Sequence, residues 1–144
     1  MAHVLIVDDE PDILLMLRIT MESSGHTTAL AADGERALAR LAEEPFDAIL
    51  LDVMMPVMDG WGVLAGLERL ALLRRPAVIV VSARAQPRDR LRAFEAGAVE
   101  FVTKPFSPTA LADLVDHLVA IGPEGQEANR AARRTALNQG GMQG

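Results

Sequence analysis

Three aspartates and one lysine are the residues of this chain whose types and spacing suit chemistry. Asp8 and Asp9 stand together directly after the apolar run Val4-Leu5-Ile6-Val7, and Asp52 stands directly after Ala48-Ile49-Leu50-Leu51. Lys104, between Glu100-Phe101-Val102-Thr103 and Pro105, is the only lysine, against thirteen arginines. A chain that carries its positive charge on Arg and keeps one Lys marks a place suited to a compact point charge on a flexible stem rather than a planar fork. Taken singly, each acid also reads as a helix N-cap or a solvated loop end, and the lysine as a stray of compositional bias. Their meaning depends on whether the fold brings them together.

Four short apolar runs, residues 4–7, 48–51, 77–81 and the weaker 99–102, are uninterrupted rather than alternating. Such strands belong to a parallel sheet covered on both faces. Residues 26–31, with Thr27-Thr28, supply a fifth and more polar strand. Helical patterns separate them: residues 11–24, opened by Pro11 and ended by Gly25; a helix capped by Asp33 and stopped by Pro45; one opened by Asp59-Gly60 and running through Leu70; residues 87–96, ended by Gly97; and one capped by Ser107 with Pro108 at its first position. A strand-helix order repeated five times implies right-handed crossovers onto an open, doubly wound sheet of α/β class, because ~120 residues are too few for an eight-unit barrel. Residues 1–121 are predicted to form this domain. Residues 122–144, rich in Gly, Gln, Asn and Ala without a sustained apolar face, are expected to be a flexible tail or linker.

Asp8, Asp9 and Asp52 all fall at C-terminal ends of strands, where open α/β sheets bind ligands. With a flavodoxin-like strand order 2-1-3-4-5 the first and third strands are neighbours, and the three acids converge. Converging anions repel without a cation. A hard ion held by a few carboxylates, a carbonyl and waters resolves the repulsion, and Mg2+ prefers such sparse oxygen sites completed by a phosphate. Lys104, at the end of the fifth strand, faces the same crevice. Composition narrows the remaining classes. The net charge of −6 gives no general reason to bind nucleic acid. The absence of cysteine excludes disulfides and thiolate metal sites, and no apolar run approaches the ~18 residues of a membrane span. The start Met-Ala-His has no signal-peptide pattern, so a cytoplasmic location is expected.

One ordered set carries a resemblance: Asp8-Asp9; Asp52-Val53-Met54-Met55-Pro56-Val57-Met58-Asp59-Gly60; Ser82-Ala83; and Phe101 to Phe106 around Lys104-Pro105. Over about residues 3–121 the chain resembles the receiver domain of two-component response regulators. That resemblance implies that Asp52 is the phosphoacceptor for a phosphohistidine on a sensor histidine kinase or histidine phosphotransfer protein. It implies Mg2+ held by Asp9, Asp52 and the backbone carbonyl of Met54, with Asp8 acting through water, and Lys104 neutralising a phosphoryl oxygen across a cis Lys104-Pro105 bond. Ser82 and Phe101 would be the switch pair, Ser82 bonding the phosphoryl group and Phe101 turning inward; Phe101 reads equally as plain core. Pro56 and Gly60 would shape the loop after Asp52. The expected signalling face is the fourth helix, fifth strand and fifth helix. There Arg84, Arg88, Arg90 and Arg92 crowd the fourth helix, while the fifth offers Asp113 and Asp116 and no basic residue, which departs from the common dimer-forming pattern.

Two other classes compete. An aspartate after a buried strand also resembles haloacid-dehalogenase-type phosphatases, but the second acid those place two residues on is Met54 here. A phosphorylation-independent interaction module would keep the fold without the chemistry, yet degenerate members lose an acid or the lysine and this chain has them all. The expectation is a phosphoacceptor that is not an enzyme on separate substrates. Its downstream contact would be a protein target or an output domain of its own, with no nucleic acid or membrane bound by this segment.

Overall fold

A computed structural model of the chain describes residues 2–55 and 57–143, the side chains of 140–143 excepted; Pro56 lies outside the described residues. Five strands, β1 (His3–Val7), β2 (Thr27–Ala31), β3 (Ala48–Leu51), β4 (Ala77–Ser82) and β5 (Glu100–Thr103), form one parallel sheet in the order β2-β1-β3-β4-β5. The helices between them are α1 (Pro11–Ser23), α2 (Gly34–Glu43), α3 (Gly60–Leu70) and α4 (Pro87–Glu95).

The uninterrupted apolar runs have a direct cause. Successive side chains of a strand point to opposite faces, and here both faces are covered. Leu5, Val7, Ile49, Leu51, Val78 and Val80 pack with Ala37, Leu41, Val63, Leu64, Leu67 and Phe94 of α2, α3 and α4. Val4, Ile6, Leu50, Ile79 and Val81 pack on the other side with Leu14, Leu17 and Met21 of α1 and with Leu111, Val115 and Leu118 of the helix after β5. The helix starts follow the capping chemistry: the Asp33 carboxylate accepts the Arg36 N–H, Asp59 accepts the Gly62 N–H, and Ser107 Oγ accepts the Ala110 N–H. Strand β5 sits one residue later than its apolar run suggests, because Val99 has already met β4 through its N–H on the Val78 carbonyl and Thr103 still pairs with Ser82.

The last helical stretch, Pro108–Gln143, is two helices joined at Gly122, whose φ of 71° and ψ of −177° break the helical path. Residues 108–121 are designated α5 and residues 123–143 α6. Within the stretch expected to be a flexible tail or linker, residues 123–143 are helical. Pro123 has the φ a first helical position needs and lacks only an N–H that would be unpaired there anyway. Polar contacts with the domain take the place of the apolar face the sequence lacks. Among the described residues no helix is long and apolar enough to cross a membrane.

Candidate functional site

Each site residue stands at the end of a strand and is fixed by one further ladder hydrogen bond. Asp8 N–H donates to the Ala31 carbonyl, Asp52 N–H to the Val7 carbonyl, and Lys104 N–H to the carbonyl of Ser82, the last residue of β4. The order β1-β3-β4-β5 therefore lays Asp8, Asp52, Ser82 and Lys104 in a row along one edge. The Lys104 side chain crosses above β4 and places its ammonium 2.9 Å from Asp8 Oδ2 and 3.3 Å from Asp52 Oδ2. The bond between Lys104 and Pro105 is cis.

Both carboxylates are withdrawn from water, Asp8 3% and Asp52 5% exposed. Burial pushes the Asp52 carboxyl above its ordinary range and Asp8 adds to the rise, while the Met54 N–H on Asp52 Oδ1 and the Lys104 charge hold it back. Burial alone would lower Lys104, but its hydrogen bond to Asp8 and the Asp52 charge outweigh that, and its ammonium is held above the ordinary lysine value. The crevice is thus built around fixed charges: two anions and the cation between them.

Asp9 lies at the exposed mouth. Carboxylate oxygens of Asp8, Asp9 and Glu10 lie within 4.8 Å of one another, a set of hard oxygen donors suited to a hard divalent cation. Glu10 was absent from the sequence reading, although the unbroken run Asp8-Asp9-Glu10 signals it. Asp52 is joined to this group through Lys104. Met54, half exposed, leaves its side chain outside the crevice and uses its backbone N–H on Asp52. Ser82 is fully buried, its Oγ accepting the Arg84 N–H at 3.0 Å.

The loop after Asp52 is held by a close approach from α3. A Cβ on Gly60 would fall 2.5 Å from Val53 Cα and 2.7 Å from the Asp52 carbonyl oxygen, both backbone atoms that cannot move aside. Gly60 N–H also donates to the Val53 carbonyl. The start of α3 therefore lies directly against the Asp52 backbone. Trp61, the next residue, lines a cavity with Met54, Arg84 and Arg92, and the Arg92 guanidinium stands 4.0 Å from its ring centre.

Phe101 is buried on the α4 side of the sheet. Arg90 lies 5.1 Å from its ring and donates from Nη2 to Thr103 Oγ1 at 2.8 Å. Three of the arginines crowded around α4 are therefore engaged within the chain, Arg84 on Asp89, Arg90 on β5 and Arg92 on Trp61. Sequence reasoning did not find the Arg90 to Thr103 bond; helical spacing places Arg90 on α4 but not against β5.

The comparisons agree with this geometry. The response regulator receiver domain profile matches residues 4–116. The transcriptional regulatory protein KdpE of Mycobacterium tuberculosis is 45% identical over 106 residues, 74% of this chain and 46% of that protein. The receiver domain of the Francisella response regulator 1452 superposes with a TM-score of 0.78 at 30% identity, covering 83% of this chain and 98% of that one. The BeF3-activated receiver domain of DrrB superposes with a TM-score of 0.73 at 29% identity, covering 81% and 96%. The chain spans about half the length of the curated relatives it matches. With a buried aspartate, an acidic mouth and a reaching lysine arrayed along a 2-1-3-4-5 sheet, and a profile match over most of its length, this chain belongs to the response regulator receiver domain family.

Proposed function

We propose that the chain accepts a phosphoryl group on Asp52 from a phosphohistidine of a sensor histidine kinase or phosphotransfer protein. The observation that carries this reading is the Lys104 ammonium set between the buried Asp8 and Asp52 carboxylates. A purely structural ion pair needs one acid; a second buried acid leaves negative charge for an incoming cation or for a phosphoryl group to reorganise. The Met54 N–H fixes Asp52 Oδ1 and so presents Oδ2 on the side of Lys104. Oxygen attacks phosphorus, the P–N bond breaks, and the imidazole nitrogen departs with the bonding pair and takes a proton. Lys104 then exchanges a carboxylate oxygen for a phosphoryl oxygen, and Ser82 turns its hydroxyl toward another. Phosphoryl transfer of this kind depends on positioning and charge neutralisation.

Asp8, Asp9, Asp52 and the Met54 carbonyl would hold Mg2+, with Glu10 beside them, and the all-oxygen donor set fits that ion. When bound, it neutralises charge on the transferred group. Activation of DrrB by BeF3, a phosphoryl mimic, supports the same use of this crevice. The chain's chemistry is confined to forming and losing its own acyl phosphate, and its output passes through α4, β5 and α5 to a protein target or an attached domain. Acetyl phosphate with Mg2+ tests the reading: the intact protein gains the mass of one phosphoryl group and Trp61 fluorescence shifts, and neither occurs in Asp52→Asn. An unmodified wild-type mass contradicts it.

A further inference from the structure

Strand β5 is an edge strand, paired with β4 alone within the sheet. Such an edge offers unpaired backbone groups to other chains unless something covers it. Here α6 covers it. After the reversal at Gly122 the helix lies back along β5 and α4. Asn129 Nδ2 donates to the Val99 carbonyl at 2.6 Å and to Glu100 Oε2 at 3.2 Å. Arg133 Nη2 lies 3.2 Å from the same Glu100 oxygen, and Arg130 Nη1 donates to the Phe94 carbonyl near the end of α4 at 2.6 Å. Glu100 is only 8% exposed, unusual for a glutamate on an edge strand, and among the described residues the partners of its carboxylate, apart from the Phe101 N–H, are those two α6 side chains. Leu137 lines one cavity with Arg90, Phe94 and Phe101.

The cover is nevertheless loosely made. No residue from 123 to 139 is fully buried, and apart from the partly buried Leu137 the ties are polar. A helix without a buried apolar stripe docks with little of the free energy that holds α1 to α5 in place. Its anchors are continuous with the phosphorylation crevice: Thr103 precedes Lys104, Arg90 bonds Thr103 and lies on Phe101, and Phe101 shares the Leu137 cavity.

We infer that α6 is an intramolecular cover over the β5 edge and α4, and that its docking opposes occupancy of the phosphoryl site. The inference rests on the phosphoacceptor reading of Asp52. A phosphoryl group draws Lys104 and Ser82 toward it, shifts Thr103 and Arg90, and releases α6 from Glu100 and the edge of β5. Linkage requires the converse, that releasing α6 makes the site readier to accept phosphate.

Asn129→Asp sets a carboxylate against Glu100 and the Val99 carbonyl and undocks α6 without touching the crevice; Arg133→Ala is the gentler second variant. Hydrogen exchange of amides 124–137 is measured in the full chain, alone and with beryllofluoride and Mg2+, alongside acetyl phosphate labelling. Exchange is expected to rise at least about tenfold in Asn129→Asp, the equivalent of one lost hydrogen bond to a charged group, and to rise in the wild type on adding beryllofluoride. The variants are expected to label several-fold faster while β1 and β3 keep their protection. Wild-type labelling with unchanged exchange over 124–137 overturns the cover alone. Failure of the wild type to label overturns the phosphoacceptor reading and takes the coupling with it.

Discussion

Replacing Lys104 by Met removes the cation from between two buried carboxylates and keeps the length of the side chain. Breaking a buried ion pair by deleting one partner costs about 3–5 kcal/mol. Two features reduce that here. The Lys104 side chain is 16% exposed, so water already reaches the ammonium, and one carboxylate can take a proton in its place. A loss of about 2–3 kcal/mol near neutral pH follows, or roughly 4–10 °C in Tm for a chain of this size. The loss depends on pH with a definite sign. Asp52 is already raised above 3.8 in the folded protein by burial, and without Lys104 it rises further. The native state then binds the proton more tightly than the unfolded chain, so the variant loses stability as pH rises from the ordinary carboxylate range toward that raised value. On the alkaline side the wild type keeps the contribution of Lys104 through neutral pH and loses it as pH rises above 10.5. Urea unfolding of both proteins at acid and neutral pH, with and without Mg2+, measures the gap. It is expected to fall below about 1 kcal/mol at acid pH, where protonation replaces the cation, and to narrow in Mg2+, which binds the uncompensated acids of the native state. A gap equal at both pH values and indifferent to Mg2+ would refute the claim that Lys104 neutralises these acids.

Lys104→Arg keeps the charge but substitutes a broad fork for a point charge; its stability in urea unfolding is expected to stay within about 1 kcal/mol of wild type, while labelling no longer changes exchange in β5. A normal response in that variant contradicts the role given to the ammonium. Gly60→Ala drives a methyl into the Val53 and Asp52 backbone and is expected to cost about 1–3 kcal/mol in urea unfolding, together with slower labelling as the Met54 N–H leaves Asp52. Unchanged stability shows that the loop has room the packing does not suggest.

Most of the domain was legible because its signals are local. Uninterrupted apolar runs announce strands covered on both sides, and Asp33, Asp59 and Ser107 announce helix starts through hydrogen bonds that span three residues. The row of Asp8, Asp52, Ser82 and Lys104 followed from strand ends once the order of strands was assumed. Contacts that depend on which helix faces which strand were not legible: Arg90 meets Thr103 only because α4 packs beside β5. Helix α6 was hidden for a different reason. Periodicity detects apolar stripes, whereas α6 is held by Asn129, Arg130 and Arg133 on backbone carbonyls and one glutamate. Such polar ties leave no period in the sequence. Glu10 continues the acidic run Asp8-Asp9 without a break, so its carboxylate is legible in the sequence as a third donor at the mouth.

The claim that Asp52 is the phosphoacceptor is tested most directly by trapping the acyl phosphate. Borohydride reduction after treatment with acetyl phosphate and Mg2+ converts a phosphorylated aspartate to homoserine, which peptide sequencing by mass spectrometry locates. Homoserine is predicted at position 52 and at no other aspartate. Its appearance at Asp8 or Asp9 instead, or its absence from a folded and Mg2+-loaded protein, would contradict the account.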